Sequence, residues 1–112
     1  MAQFSNKPWG DIAESDYKDA ESFCAASLID TNAKGAAKSK AMCKLPVKEP
    51  SGAYNKNGIH AAAAALAGAR GGVKASAEDK GKAARALIRL YQQMGEVAPE
   101  GVYRVAGQKR PQ

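Results

Sequence analysis

The 112 residues carry a net charge of +6, and the excess is uneven: residues 1–30 hold two lysines and six acids (net −4), residues 31–112 fifteen basic and five acidic residues (net +10). That split predicts one acidic and one basic surface through which copies of the chain, or a partner, would meet. The longest apolar run is the alanine-rich Ala61–Ala67, far short of the 18 or so residues of a membrane helix, and the start lacks the basic-then-apolar order of a secretion signal, so a chain made and used in the cytosol, or carried out of it inside an assembly, with no membrane partner, is expected.

Residues 1–14 show no hydrophobic period and contain the breakers Pro8 and Gly10, which predicts an extended N-terminal arm. Phe4 and Trp9 are large aromatics for such a segment. Trp9 either packs back on the domain or anchors the arm to a partner, where aromatics are enriched. Tyr17, Ala20, Phe23 and Cys24 recur at helical spacing, with Ser15 and Ser22 as possible caps, and predict a short helix over about 16–26. Leu28 and Ile29 end it, Asp30-Thr31-Asn32 reads as a turn, and 33–41 as a basic loop.

Alternation then places Cys43, Leu45 and Val47 on one face of a short strand, which Pro46 limits to an edge strand or an extended segment. Pro50-Ser51-Gly52 and Asn55–Gly58 are turn chemistry around Tyr54. A second helix is expected over about 58–69, capped by Asn57, with Ile59, Ala62, Ala63 and Leu66 as its apolar stripe and Gly71-Gly72 as its stop. The third is the most clearly patterned: Ser76 caps it, Asp79 follows at capping-box spacing, and Ala83, Ala84, Leu87, Ile88, Tyr91 and Met94 form the stripe, widened by Leu90, up to Gly95. Lys82, Arg85, Arg89 and Gln92 face away. The tail, with Val102, Tyr103 and Val105, reads as a last short strand or a second arm.

These elements make an α+β protein: a small three-helix domain over 15–96 with one or two short edge strands, an arm over 1–14 and a tail over 97–112. With only two Phe, one Trp and four Tyr, the core is modest, and docking is expected to raise a marginal stability. The two ends are expected to become ordered only against another protein's surface.

No catalytic, cofactor-binding or metal-binding set emerges. His60 stands alone at a helix start, where the imidazolium is disfavoured, and reads as structural or surface. Gly68–Lys74 lacks the spacing of a phosphate loop. Cys24 and Cys43 cannot supply a four-ligand zinc site, and His60 does not complete one. A disulfide between them is geometrically possible, but a reducing cytosol favours buried thiols packed as small apolar groups. The basic face with Lys80, Lys82, Arg85 and Arg89 could meet nucleic acid without sequence preference, though no recognition motif or aromatic platform accompanies it.

Read in order, Trp9 in a polar arm, Tyr17, the CAASLID block (24–30), KAMCKLPVKEPSG (40–52), NKNGIHAAAAALAGARGGV (55–73), the Ser-capped KAARALIRLY helix (82–91) and the Gly95-to-Pro99 close resemble a small domain of tailed-bacteriophage head proteins. That domain occurs alone or fused to a head-maturation protease or other structural polypeptides. The likeness spans roughly residues 9–99. It implies a non-enzymatic decoration, or cement, protein on the outside of the capsid lattice, assembled in the host cytoplasm, with the major capsid protein and copies of itself as partners. The alternatives are a small nucleic-acid-binding protein and a head-assembly scaffold or chaperone. Phe4, Trp9, Tyr103 and Val105 are the candidate partner-binding residues; the resemblance transfers no catalytic ones.

Overall fold

Asp19, not Ser15 or Ser22, begins the first helix: its carboxylate accepts the Ser22 backbone N–H at 2.8 Å. The structure, a computed structural model, describes residues 4–35, 37–68 and 72–111. Among these, four helices and four short strands in two two-stranded sheets make a mixed α+β fold. Two compact units divide the chain, one ending at Gly58 and one beginning at Ile59. The expected boundaries after residues 14 and 96 do not coincide with that division.

In the first unit, β1 (Phe4–Ser5) pairs in parallel with β4 (Tyr54–Asn55), so the segment expected to extend freely is strand-paired at its start. A 3-10 turn covers Trp9–Asp11 and another Glu14–Asp16. Helix α1 is only Ala20–Ala25. The CAASLID block does not lead from helix straight into the Asp30–Asn32 turn, which the Asn32 N–H closes on Asp30 Oδ1 at 2.9 Å. Its Ser27–Asp30 portion forms β2, antiparallel to β3 (Cys43–Pro46), with Ser27 opposite Pro46 and Asp30 opposite Cys43. Local pattern could not reveal β2, because its two apolar residues, Leu28 and Ile29, are adjacent and show no alternation. The inward face of the second strand matches expectation: Cys43, Leu45 and Val47 are all buried.

Leu45 holds a left-handed backbone, φ 62°. That conformation costs roughly 1–2 kcal/mol in a non-glycine residue, and full burial of a leucine side chain returns about 1.5–3 kcal/mol, so packing outweighs the strain. Glu49-Pro50-Ser51-Gly52 closes the expected turn, Gly52 N–H donating to the Glu49 carbonyl at 2.8 Å. Tyr17, Phe23, Cys24, Ala26 and Cys43 form one packed cluster of this unit, with Ile12 against it, and Ile29, Leu45 and Val47 are buried as well. The Tyr17 and Phe23 rings meet edge to face at 5.2 Å, and the Tyr17 hydroxyl donates to the Lys48 carbonyl.

Helix α2 (Lys56–Leu66) starts two residues earlier than expected. Asn55, not Asn57, serves its first turn, its Oδ1 accepting the Gly58 N–H at 2.8 Å. Ile59, Ala62, Ala63 and Leu66 are buried, as the spacing predicts. The helix ends before Gly68, which takes φ +112°. Of the expected Gly71-Gly72 stop, Gly71 lies outside the described residues.

The second unit is built on α3 (Ala77–Gln93), capped by Ser76 through the Asp79 N–H at 3.1 Å. Its predicted stripe is buried from Ala83 to Tyr91, and Met94 is half-buried. The tail is neither a strand nor an arm. Glu100–Ala106 form α4, packed on α3, with Val102 and Tyr103 buried. Pro99 at its start and Gly107 in the left-handed region (φ 73°) at its end bracket the segment, the asymmetry that favours a helix between them. Val102 and Val105 stand three apart, as on a helix, and Tyr103 and Val105 two apart, as on a strand, so the pattern alone was ambiguous.

Candidate functional site

The four expected partner-binding residues are engaged within the chain. Phe4 is half-buried with its ring 5.8 Å from that of Tyr54. Trp9 is half-buried over Gly58, where an added Cβ would lie 3.0 Å from three indole atoms. Asn55 and Asn57 hold the same segment: the Asn55 amide donates to the Lys7 carbonyl at 3.1 Å, and the Asn57 amide to the carbonyls of Asn6 and Lys7 at 3.2 and 2.9 Å. Two asparagines that read as turn chemistry thus fasten the chain's beginning by side-chain hydrogen bonds. Tyr103 is buried and Val105 half-buried in α4. Ends that wait for a partner's surface are therefore not what the described residues form. Among them, the large hydrophobic side chains left exposed are Met42 and Val97, neither of which was singled out from the sequence.

Exposed charge follows the predicted split only in part, because Lys7, Lys18, Lys34 and Lys38 are exposed in the first unit beside its acids. In the first unit Asp11, Glu14, Asp16, Asp19 and Glu21 are exposed. In the second, Lys82, Arg85 and Arg89 lie on the outer face of α3, and Arg104, Lys109 and Arg110 on or after α4. Those last three, with Glu100, Tyr103 and Gln108, line an open cleft of about 320 Å³. Arg110 is fixed there by Nε donating to the Ala98 carbonyl at 3.0 Å. Lys82 pairs with Glu78 at 3.6 Å and Arg104 with Glu100 at 3.8 Å, exposed contacts worth well under about 1 kcal/mol each.

His60 is exposed on α2, with Nε2 3.0 Å from Glu96 Oε1 and its ring 5.6 Å from that of Tyr91. Burial, then the Glu96 carboxylate, pushes the Tyr91 hydroxyl up to about 12.

Cys24 and Cys43 are joined in a disulfide, their Cα atoms 5.3 Å apart, which corrects the expectation of separate reduced thiols. The cause is the β2–β3 pairing: chain leaving α1 folds back along β3 and brings the last turn of the helix beside Cys43. Around the sulfurs stands a polar group. Asp30 Oδ2 accepts from Lys38 Nζ at 2.6 Å, and Oδ1 accepts from both the backbone and side-chain amides of Asn32, at 2.9 and 2.8 Å. The Lys38 ammonium first, then the Asn32 donors, draw the Asp30 carboxyl from 3.8 down to about 2. Sequence reasoning singled out the two cysteines. It read Asp30 and Asn32 only as a turn, and the one available signal was their spacing as an Asx turn.

No protein-family model, curated protein or solved structure matches the chain.

Proposed function

We propose that this chain is a non-enzymatic structural protein of a tailed-bacteriophage virion, binding the outside of the capsid lattice as a decoration protein. The ordered series of segments between Trp9 and Pro99, which resembles the head-protein domain, carries this reading. The structure changes how such docking would work. With Phe4, Trp9 and Tyr103 committed to their own chain, the contact surface in this reading is folded and charged: the exposed acids among residues 11–21 and the exposed bases of α3 and α4. Repetition over a lattice turns modest contacts into firm attachment.

The test is a mass-spectrometric inventory of purified particles. Lattice-scale copy number supports a decoration protein. Presence in precursor heads and absence from mature ones would instead indicate a scaffold. The basic outer face of α3 favours one competing reading, sequence-independent binding of nucleic acid, whose affinity must fall steeply with salt. Fluorescence titration against duplex DNA at two salt concentrations separates the two, and no retention at about 50 mM salt removes the competitor.

A further inference from the structure

One amide nitrogen sits among four acceptors. Asn32 Nδ2 lies 2.8 Å from Asp30 Oδ1, 3.2 Å from the Ser39 carbonyl oxygen, 3.3 Å from Cys43 Sγ and 3.6 Å from Cys24 Sγ. An amide nitrogen has two hydrogens, so this ring of acceptors is twice what it can satisfy. Two oxygens and a pair of adjoining sulfurs gathered around one point are the kind of donor cluster a cation uses once the sulfurs part. Two sulfurs, a carboxylate and a carbonyl also form a chemically selective set. Thiolates favour zinc and related soft or borderline ions, whereas magnesium and calcium take oxygen throughout.

We propose that, in the reduced protein, Cys24, Cys43 and Asp30, completed by the carbonyl of Ser39, form a binding site for a zinc-class divalent ion, and that the disulfide closes it. The Cys24 and Cys43 sulfurs and an Asp30 carboxylate oxygen already lie within 4.8 Å of one another. A tetrahedral zinc, with Zn–S about 2.3 Å and Zn–O about 2.1 Å, needs its donors roughly 3.4–3.8 Å apart. Once reduced, the two sulfurs are free to separate to that spacing by rotation of the side chains. The half-exposed Asn32 side chain swings towards solvent and vacates the centre. Asp30 offers Oδ1, while Lys38 keeps Oδ2 at 2.6 Å, the outer-shell support that orients a ligating carboxylate.

The chemistry balances. A phosphine reductant and one water convert the disulfide into two thiols and a phosphine oxide, two electrons passing from phosphorus into the sulfur–sulfur bond. The incoming ion then displaces the two thiol protons. In the oxidised state the sulfurs are neutral and bonded to each other, and the site loses both anionic donors.

The full chain, oxidised or phosphine-reduced, is titrated with Co²⁺, and Zn²⁺ is then added against a chromophoric chelator. The reduced chain should bind one Co²⁺ with intense tetrahedral ligand-field bands and a thiolate charge-transfer band, and Zn²⁺ should displace it. The oxidised chain should give neither band. Asp30→Asn should weaken Zn²⁺ binding by at least about tenfold, as loss of a ligand costs no less than loss of an outer-shell partner. Reduced wild type that binds no tighter than oxidised overturns the proposal. So does undiminished affinity in Asp30→Asn, which would reveal a bare dithiol instead of a built site. Should reduction unfold the chain, Zn²⁺ must restore the helical spectrum, and failure to do so overturns it equally.

Discussion

At Gly58 a methyl group would come within 3.0 Å of Cδ2, Cε2 and Cε3 of the Trp9 indole. Two effects oppose each other in Gly58→Ala. Alanine gains up to about 1 kcal/mol of helix propensity, a gain reduced because Gly58 lies in the first turn of α2. Displacing a packed ring costs roughly 1–3 kcal/mol, so the variant should be less stable than the parent. Trp9 is the sole tryptophan, and its emission should shift to the red as the ring is pushed outward; an unshifted spectrum would mean the ring does not lie over Gly58. Trp9→Ala should likewise destabilise the free protein, by about 2 kcal/mol, less than a fully buried aromatic because the ring is only half-buried. A chemical melt of the isolated chain checks both. The composition of the N-terminal segment left Trp9 undecided between packing back and anchoring a partner. What decides it is the absence of a side chain 49 residues later, which no local pattern discloses.

Between elements, the close approach of Gly101 in α4 to Ala67, just beyond α2, is the tightest among the described glycines: an added Cβ would sit 2.7 Å from the Ala67 Cβ and 3.3 Å from its Cα. Neither atom can yield as the end of a flexible side chain could. Gly101→Ala should therefore lose about 1–3 kcal/mol by overpacking, more than propensity returns, measurable as a lower midpoint in denaturant with the slope unchanged. A second element-level prediction concerns β1 and β4. The buried Glu49 accepts from the Asn55 amide at 2.8 Å, and hydrogen bonds from Ser5, then Asn55, hold its carboxyl below the ordinary 4.5. A carboxyl lowered by folding contributes stability that is complete above the unfolded value and is lost as pH falls through the folded one. Acid titration of stability should show this loss beginning below about pH 4.5, and Glu49→Gln should flatten it. Helices α2 and α3 and the inward face of β3 were legible because the spacing of apolar residues, and for α3 its Ser76 cap, is written within each segment. Strand β2 and helix α4 were not. The first exists through a partner 16 residues away, and the second has a pattern that fits two periods equally.

Over the whole chain, the same limit governs the sulfur-centred site. Its cysteines stand out in any reading of the sequence, yet Asp30, Asn32 and Ser39 join them only once β2 lies along β3, so the donor set belongs to the tertiary fold. The disulfide spans 19 positions, and closing a loop of about 20 residues removes enough unfolded-chain entropy to stabilise by about 3 kcal/mol. That sum is large beside the roughly 5–15 kcal/mol that hold a typical domain together, and it falls on a unit in which one packed cluster is built around the two cysteines themselves. The Cys24→Ala/Cys43→Ala variant keeps small apolar groups at both positions, so the lost cross-link is the main change. Native-state hydrogen exchange should then show faster opening at Phe23, Ile29 and Val47, whose amides belong to α1, β2 and the strand-end bond from Val47 to the Ala26 carbonyl. Amides in the middle of α3, in the other unit, should keep their parental rates. Uniform acceleration across both units would mean that the chain opens only as a whole, and that the cross-link stabilises the entire molecule instead of the part it encloses.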